Sequence, residues 1–264
     1  MLVCGALAMA GASSFSGAQG ARDWADVEGR IQYAYYTNDA RALNSVLTAL
    51  KPKAGAEGES SEADPGTAAY FRALAHYRLA QVQTTGKKSA AKDAIDDCND
   101  EIDNAVEALP RIPLGLDELP ENRLKRAEAF ALGTACTLAG REMSSIPFGG
   151  GRIGSRIDEA VKFEPKNPRV RLVEALALFD RAGKKVEEQT AALAKLRAVT
   201  LMFEQARAQA STTPEWGAAE AYAFLGRALI DQRDAVGARE ALERALLIAP
   251  DYAFARGLMS QITR

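Results

Sequence analysis

Beyond residue 22, apolar residues recur at i, i+3, i+4 and i+7 through nearly every segment of the chain. That spacing marks one face of an α-helix, and no run alternates with the period of two that a half-buried strand requires. Ala, Leu, Glu, Arg and Lys dominate, and all favour helix. The pattern predicts helices near 23–37, 40–50, 66–84, 88–109, 121–140, 152–163, 168–182, 185–209, 215–231, 235–248 and 252–262. Pro65-Gly66, Thr85-Gly86, Pro110, Pro113, Gly149-Gly150-Gly151, Pro165, Pro168, Pro214 and Pro250 all fall between these helices, as chain breakers should. The fold class is all-α. The stretch 51–66 is polar and lacks apolar periodicity, so it reads as a flexible loop between a first helical pair, 22–50, and the rest, 67–264.

The first 21 residues stand apart, because they carry no charge and Arg22 is the first charged side chain. Leu2–Ala12 is apolar and Ser13–Gln19 is small and polar. A membrane span needs about 20 mostly apolar residues, and this run is too short. Residues 1–21 therefore read as a secretory signal peptide with small residues at the cleavage region, and the protein is expected to be periplasmic or secreted.

Composition narrows the possible chemistry. With 33 basic and 35 acidic residues the formal charge is −2, whereas a nucleic-acid binder usually carries a basic excess. Three cysteines and one histidine are too few for a disulfide scaffold or an ordinary zinc site. No metal or cofactor is expected.

Helical pairs at similar spacing raise the question of a repeat. Let Ala219 be position 1 of a 34-residue unit. Tyr222 then falls at position 4, Leu225 at 7, Gly226 at 8, Ala238 at 20, Leu242 at 24, Ala245 at 27 and Pro250 at 32. This segment closely resembles the tetratricopeptide repeat family. Small residues at 8 and 20 let the helices of a pair approach, Ala at 27 lets the next repeat dock, and Pro at 32 ends the second helix. Looser matches precede it. Phe71, Leu74 and Ala75 resemble positions 4, 7 and 8, and Cys98, Ile102, Ala105 and Pro110 resemble 20, 24, 27 and 32. Leu132-Gly133 resemble 7 and 8, Ile157, Ala160 and Pro165 resemble 24, 27 and 32, and Ala175 fits position 8 of a degenerate pair. The resemblance implies an α-solenoid of about five antiparallel helix pairs, with 252–262 as the terminal capping helix.

Several features bear on chemistry. Gly149–Gly154 satisfies G-x-G-x-x-G, but a dinucleotide site needs a strand before it, and helix and loop precede it here. It reads as an inter-helix loop. His76 has no nucleophile motif around it and reads as a surface or half-buried histidine. Asp93, Asp96, Asp97, Asp100, Asp103 and Glu107 share one helical face, which is a solvated face or, alternatively, a site for a basic peptide. Cys98 and Cys136 lie in apolar faces of adjacent units. They read as small core residues, with pairing the alternative in an oxidising compartment.

The resemblance implies a non-catalytic scaffold of the cell envelope that binds a protein or peptide in the groove lined by its first helices. Arg72 and His76, then Glu220, Arg227 and Asp231, fall where such a groove would offer contacts. The alternatives are a structural subunit of an envelope complex or, further off, a small-ligand or enzymatic helical array.

Overall fold

A computed structural model describes residues 23–51, 64–83, 88–111, 117–143, 150–183, 185–207 and 215–262. The expected signal peptide and most of the expected loop at 51–66 lie outside the described residues.

Eleven helices occupy the described residues: α1 (Trp24–Tyr36), α2 (Ala40–Leu50), α3 (Pro65–Gln83), α4 (Lys88–Glu107), α5 (Pro120–Met143), α6 (Gly150–Phe163), α7 (Pro168–Ala182), α8 (Val186–Arg207), α9 (Ala218–Asp231), α10 (Ala235–Ile248) and α11 (Ala253–Ile262). Each matches an expected segment to within three residues at either end. Short side chains set the starts. Asp23, Asp39 and Asn167 each accept two backbone N–H groups from the first turns of α1, α2 and α7, and Asp234 accepts one from Gly237 at the start of α10. Asp64 accepts the Thr67 N–H at 2.9 Å, and Pro65 opens α3, where its missing N–H costs nothing.

Consecutive helices pair as α1/α2, α3/α4, α5/α6, α7/α8 and α9/α10, and α11 caps the last pair. The first helices also touch one another, α1 on α3, α3 on α5 and α5 on α7. The result is two layers, with odd-numbered helices on the inside and even-numbered helices outside. One continuous apolar core runs between them, with Ile31, Leu43, Leu74, Ile102, Leu132, Leu196 and Leu242 fully buried.

The tight seam expected in the last pair is present. A Cβ added at Gly226 would lie 2.7 Å from Leu242 Cγ and 3.4 Å from the Ala238 carbonyl oxygen. Gly217, just before α9, has φ +112°, and a Cβ there would lie 2.7 Å from Phe203, so both conformation and space call for glycine.

Two expectations are corrected. Cys98 of α4 and Cys136 of α5 are joined in a disulfide, not merely packed. Both sit at 0 % exposure on the facing sides of adjacent pairs, and the close packing of that seam brings their sulfurs together. The glycine-rich run is not a loop from residue 150 onward, because Gly150–Gly154 form the first turns of α6. No strand occurs among the described residues, so the dinucleotide motif lacks its structural context.

Candidate functional site

The inner face is divided by a buried polar bridge between the two ends of the array. Arg78 of α3 forms an ion pair with Glu220 of α9, and both side chains are almost wholly buried. The Arg78 guanidinium lies 4.1 Å from the centre of the Tyr35 ring, a distance suited to a cation–π contact. Glu220 also accepts the Tyr36 hydroxyl at 3.2 Å and the Gly217 N–H at 3.1 Å. Tyr35 of α1 meets Tyr252, at the entry to α11, hydroxyl to hydroxyl at 2.8 Å. Burial works most strongly against the charge of Arg78, but Glu220 and the neighbouring Tyr35, Tyr77 and Tyr36 together outweigh it and hold the guanidinium firmly protonated.

A second set of contacts continues the bridge. Glu28 of α1 accepts the N–H groups of Glu215 and Trp216 at 2.6 and 2.7 Å. The Trp216 indole N–H donates to the Tyr70 hydroxyl at 2.8 Å. Burial pushes the Glu28 carboxyl up to about 7, and the two backbone donors only partly offset this. The first and last helical pairs are thereby fastened to each other across the inside.

One open region, of about 340 Å³, lies at the N-terminal ends of α3 and α5 beside Trp24. Another lies beyond the bridge, toward the C-terminal ends of the first helices. A cavity of about 320 Å³ opens there. Tyr77 and Gln81 line it from α3, and Ala135, Leu138 and Ala139 from α5. Leu176, Phe179 and Asp180 of α7 and Phe224, Arg227 and Asp231 of α9 complete the wall. Gln81 connects cavity and bridge: it accepts from Arg78 at 2.9 Å and donates to the Tyr77 hydroxyl at 3.2 Å. At the rim, Asp180 pairs with Arg141 at 2.8 Å, and the Arg227 guanidinium lies 5.7 Å from the centre of the Phe179 ring.

The five expected contact residues do not form one surface. Arg227 and Asp231 line the cavity. Glu220 faces inward as expected but is 2 % exposed and already holds Arg78, Tyr36 and Gly217, so it has nothing left to offer a partner. Arg72 and His76 are directed away from the cavity. Arg72 pairs with Glu101 of α4 at 2.7 Å and reaches the Leu50 carbonyl at the end of α2. His76 Nδ1 lies 3.5 Å from Asp97 of α4. Burial lowers the His76 pKa, with Asp97 and Glu101 opposing. Neither residue lines the cavity.

The displacement of Arg72 and His76 is a one-residue slip of register. In α7 and α9 the repeat positions 9 and 13 give Leu176, Asp180, Arg227 and Asp231, and all four line the cavity; in α5 position 13, Leu138, lines it beside Ala135 and Ala139, whereas Thr134 at position 9 does not. In α3 the cavity takes Tyr77 and Gln81, one residue beyond the expected track. α3 is mostly buried from Ala68 to Val82, and its half-buried polar pair Arg72 and His76 lies against the acidic side chains of α4 rather than on the cavity face, so the polar positions of this helix do not mark the cavity. Nothing local in the sequence marks the role of Arg78, because its partner Glu220 lies 142 residues away.

The acidic row on α4, from Asp93 to Glu107, is exposed throughout. No group of three or more potential metal ligands occurs among the described residues, and no described helix is long and apolar enough to cross a membrane.

No protein-family model matches the sequence, and no characterised protein matches it. Among solved structures the chain is similar to YrrB, described as a TPR protein with an unusual peptide-binding site. The likeness covers 92 % of this chain and 100 % of that one, at 18 % identity and a TM-score of 0.38. At that score it says nothing about the site, and the description of the array stands on its own helix contacts.

Proposed function

We propose that the protein is an exported, non-catalytic binding module that holds a segment of a partner protein in the cavity at the C-terminal ends of α3, α5, α7 and α9. The observation that carries this reading is the shared wall: four helices from four successive pairs each contribute side chains to one cavity. Concave surfaces of this kind arise from stacking and are what helical-pair arrays use to bind. The walls are mostly apolar, with a few polar groups at the rim, as in pockets that orient what they bind. The uncharged apolar start of the chain supports export. The Cys98–Cys136 disulfide supports an oxidising compartment, because such bonds are rare where thiols are kept reduced.

The bridge sets the mode of binding. With Arg78, Glu220 and Trp216 buried, a peptide has no free passage along the whole inner face. A protruding side chain or a short turn fits the cavity; a long threaded peptide does not.

The test is affinity capture from intact envelopes with three baits: the wild-type chain, Leu176→Trp, which fills the cavity, and Glu243→Arg on the exposed outer side of α10. A partner held by wild type and Glu243→Arg but lost from Leu176→Trp supports the reading. A partner held equally by all three places binding elsewhere and refutes it.

A further inference from the structure

The cavity beside Trp24, of about 340 Å³, lies at the opposite end of the first helices from the one proposed to hold a partner. Aromatic rings form one side of it. Trp24 of α1 stacks on Phe71 of α3 with ring centres 5.1 Å apart and planes 7° from parallel, and Tyr70 meets Phe71 edge-on at 5.4 Å. Ala105 of α4 and Leu124 and Ala129 of α5 complete the apolar wall. A cavity of about 150 Å³ already takes benzene, so this one has room for a fused bicyclic ring.

One carboxylate is set into this wall. Glu128 of α5 lines the cavity, and its side chain is 4 % exposed. All of its hydrogen bonds fall on one oxygen. Oε1 accepts from Asn167 Nδ2 at 2.8 Å, from Arg169 Nε at 3.0 Å and from a second guanidinium nitrogen of Arg169. Oε2 accepts from no donor among the described residues. A buried carboxylate oxygen without a donor carries a desolvation cost that a bound N–H or O–H would recover. Arg169 already balances the charge, so what the site lacks is a hydrogen-bond donor and not a cation. At the mouth Lys125 and Asp64 pair at 2.6 Å, and Glu121 is exposed, where salt and water screen it.

We infer that this cavity binds a neutral aromatic ring that carries one hydrogen-bond donor, an indole or a phenol, with the ring against Trp24 and Tyr70 and its N–H or O–H directed to Glu128 Oε2. A free small molecule and a side chain of a peptide present the same chemistry here. The site is separate from the cavity at the C-terminal ends of the first helices and does not depend on it.

Calorimetry on the full chain compares indole with N-methylindole, which has the same ring and no N–H. Indole is expected to bind saturably and about tenfold or more tighter, the effect of one hydrogen bond to a charged acceptor. A capped glycine peptide with one central tryptophan, and its N-methylated form, are titrated alongside. Tighter binding of the peptide identifies a side chain as the occupant, and tighter binding of indole a free molecule. Leu124→Trp, at a partly exposed position of the wall, fills the cavity and is expected to abolish binding. Leu176→Trp fills the other cavity and is expected to leave binding unchanged. Glu128→Gln keeps an oxygen for Asn167 and Arg169 and turns an NH₂ group toward the cavity, so the preference for the unmethylated ring is expected to vanish. If that variant is unstable, the methylated and unmethylated ligands still decide the question on wild type. No saturable binding of indole or peptide, equal affinity for the methylated forms on wild type, or a preference retained in a folded Glu128→Gln would overturn the inference. Full binding to a folded Leu124→Trp, or loss of binding confined to a folded Leu176→Trp, overturns it as well.

Discussion

Arg78 and Glu220 stand 142 residues apart in the sequence, yet they form one ion pair with side chains 1 % and 3 % exposed. The pair joins the second helical unit to the fifth. It makes the array more than a sum of neighbouring contacts, because losing it affects both ends at once. In a simple stack each unit would touch only its neighbours.

Removing one member of this pair leaves the other charged and buried, which costs about 3–5 kcal/mol. Arg78→Met alone is therefore expected to lower stability by that order. Replacing both, with Arg78→Met and Glu220→Leu together, is expected to recover a large part of the loss, because no charge is then stranded. Urea denaturation of the two single variants and the double variant gives the comparison. Purely additive losses would show that the two side chains do not act as a pair.

Glu28 makes folding sensitive to pH in a defined direction. Its carboxyl is raised from 4.5 to about 7 by burial, so the folded state holds a proton that the unfolded state releases. The resulting contribution is fully present below about pH 4.5 and is lost as the pH rises through 7. Its size is about 3 kcal/mol at about 1.4 kcal/mol per pH unit. Glu28→Gln keeps an oxygen for the Glu215 and Trp216 N–H groups and removes the titration. The stability of the variant relative to wild type is expected to rise between pH 4.5 and pH 8, as measured by denaturation at both ends. A constant difference would show that Glu28 does not carry the effect.

The seam of the last pair leaves no room at Gly226. A Cβ there would approach Leu242 to 2.7 and 2.8 Å, so even Gly226→Ala forces a shift. Gly226→Leu or Ala238→Leu is expected to cost about 1–3 kcal/mol or more through overpacking. Arg239→Leu, one residue from Ala238 but exposed, is expected to change stability by less than about 0.5 kcal/mol. Melting temperatures of the three variants test the register directly, and an unchanged Ala238→Leu would contradict it.

The Cys98–Cys136 bond closes a loop with a sequence separation of 38. In the chain-entropy description a loop of this size is stabilised by about 4 kcal/mol. Melting in the presence of dithiothreitol is expected to occur several degrees lower than in its absence, and the double variant Cys98→Ser with Cys136→Ser is expected to be insensitive to reductant. Equal melting of the wild type in both conditions would argue that the bond contributes nothing.

The sequence determined the helices, their order and their pairing. Apolar residues at helical spacing, with Pro and Gly between the segments, are local signals, and local signals place α1 to α11. It also determined the close approach in the last pair, because the small residues Gly226 and Ala238 stand where α9 and α10 meet. It placed Arg227 and Asp231 on the inner face of α9, since that helix has a clear apolar side against α10. The tertiary structure decided the rest. α3 carries polar side chains on more than one face, so only its packed neighbours show that Tyr77 and Gln81, not His76, face the cavity. Cys98 and Cys136 read as small core residues until α4 and α5 come together. The bridge from Arg78 and Glu28 to Glu220 and Trp216 depends on how the two ends of the array meet, which follows from small rotations accumulated over five pairs. No residue pattern within one helix encodes that sum, and for that reason the closed inner face and the remaining cavity emerge only from the assembled fold.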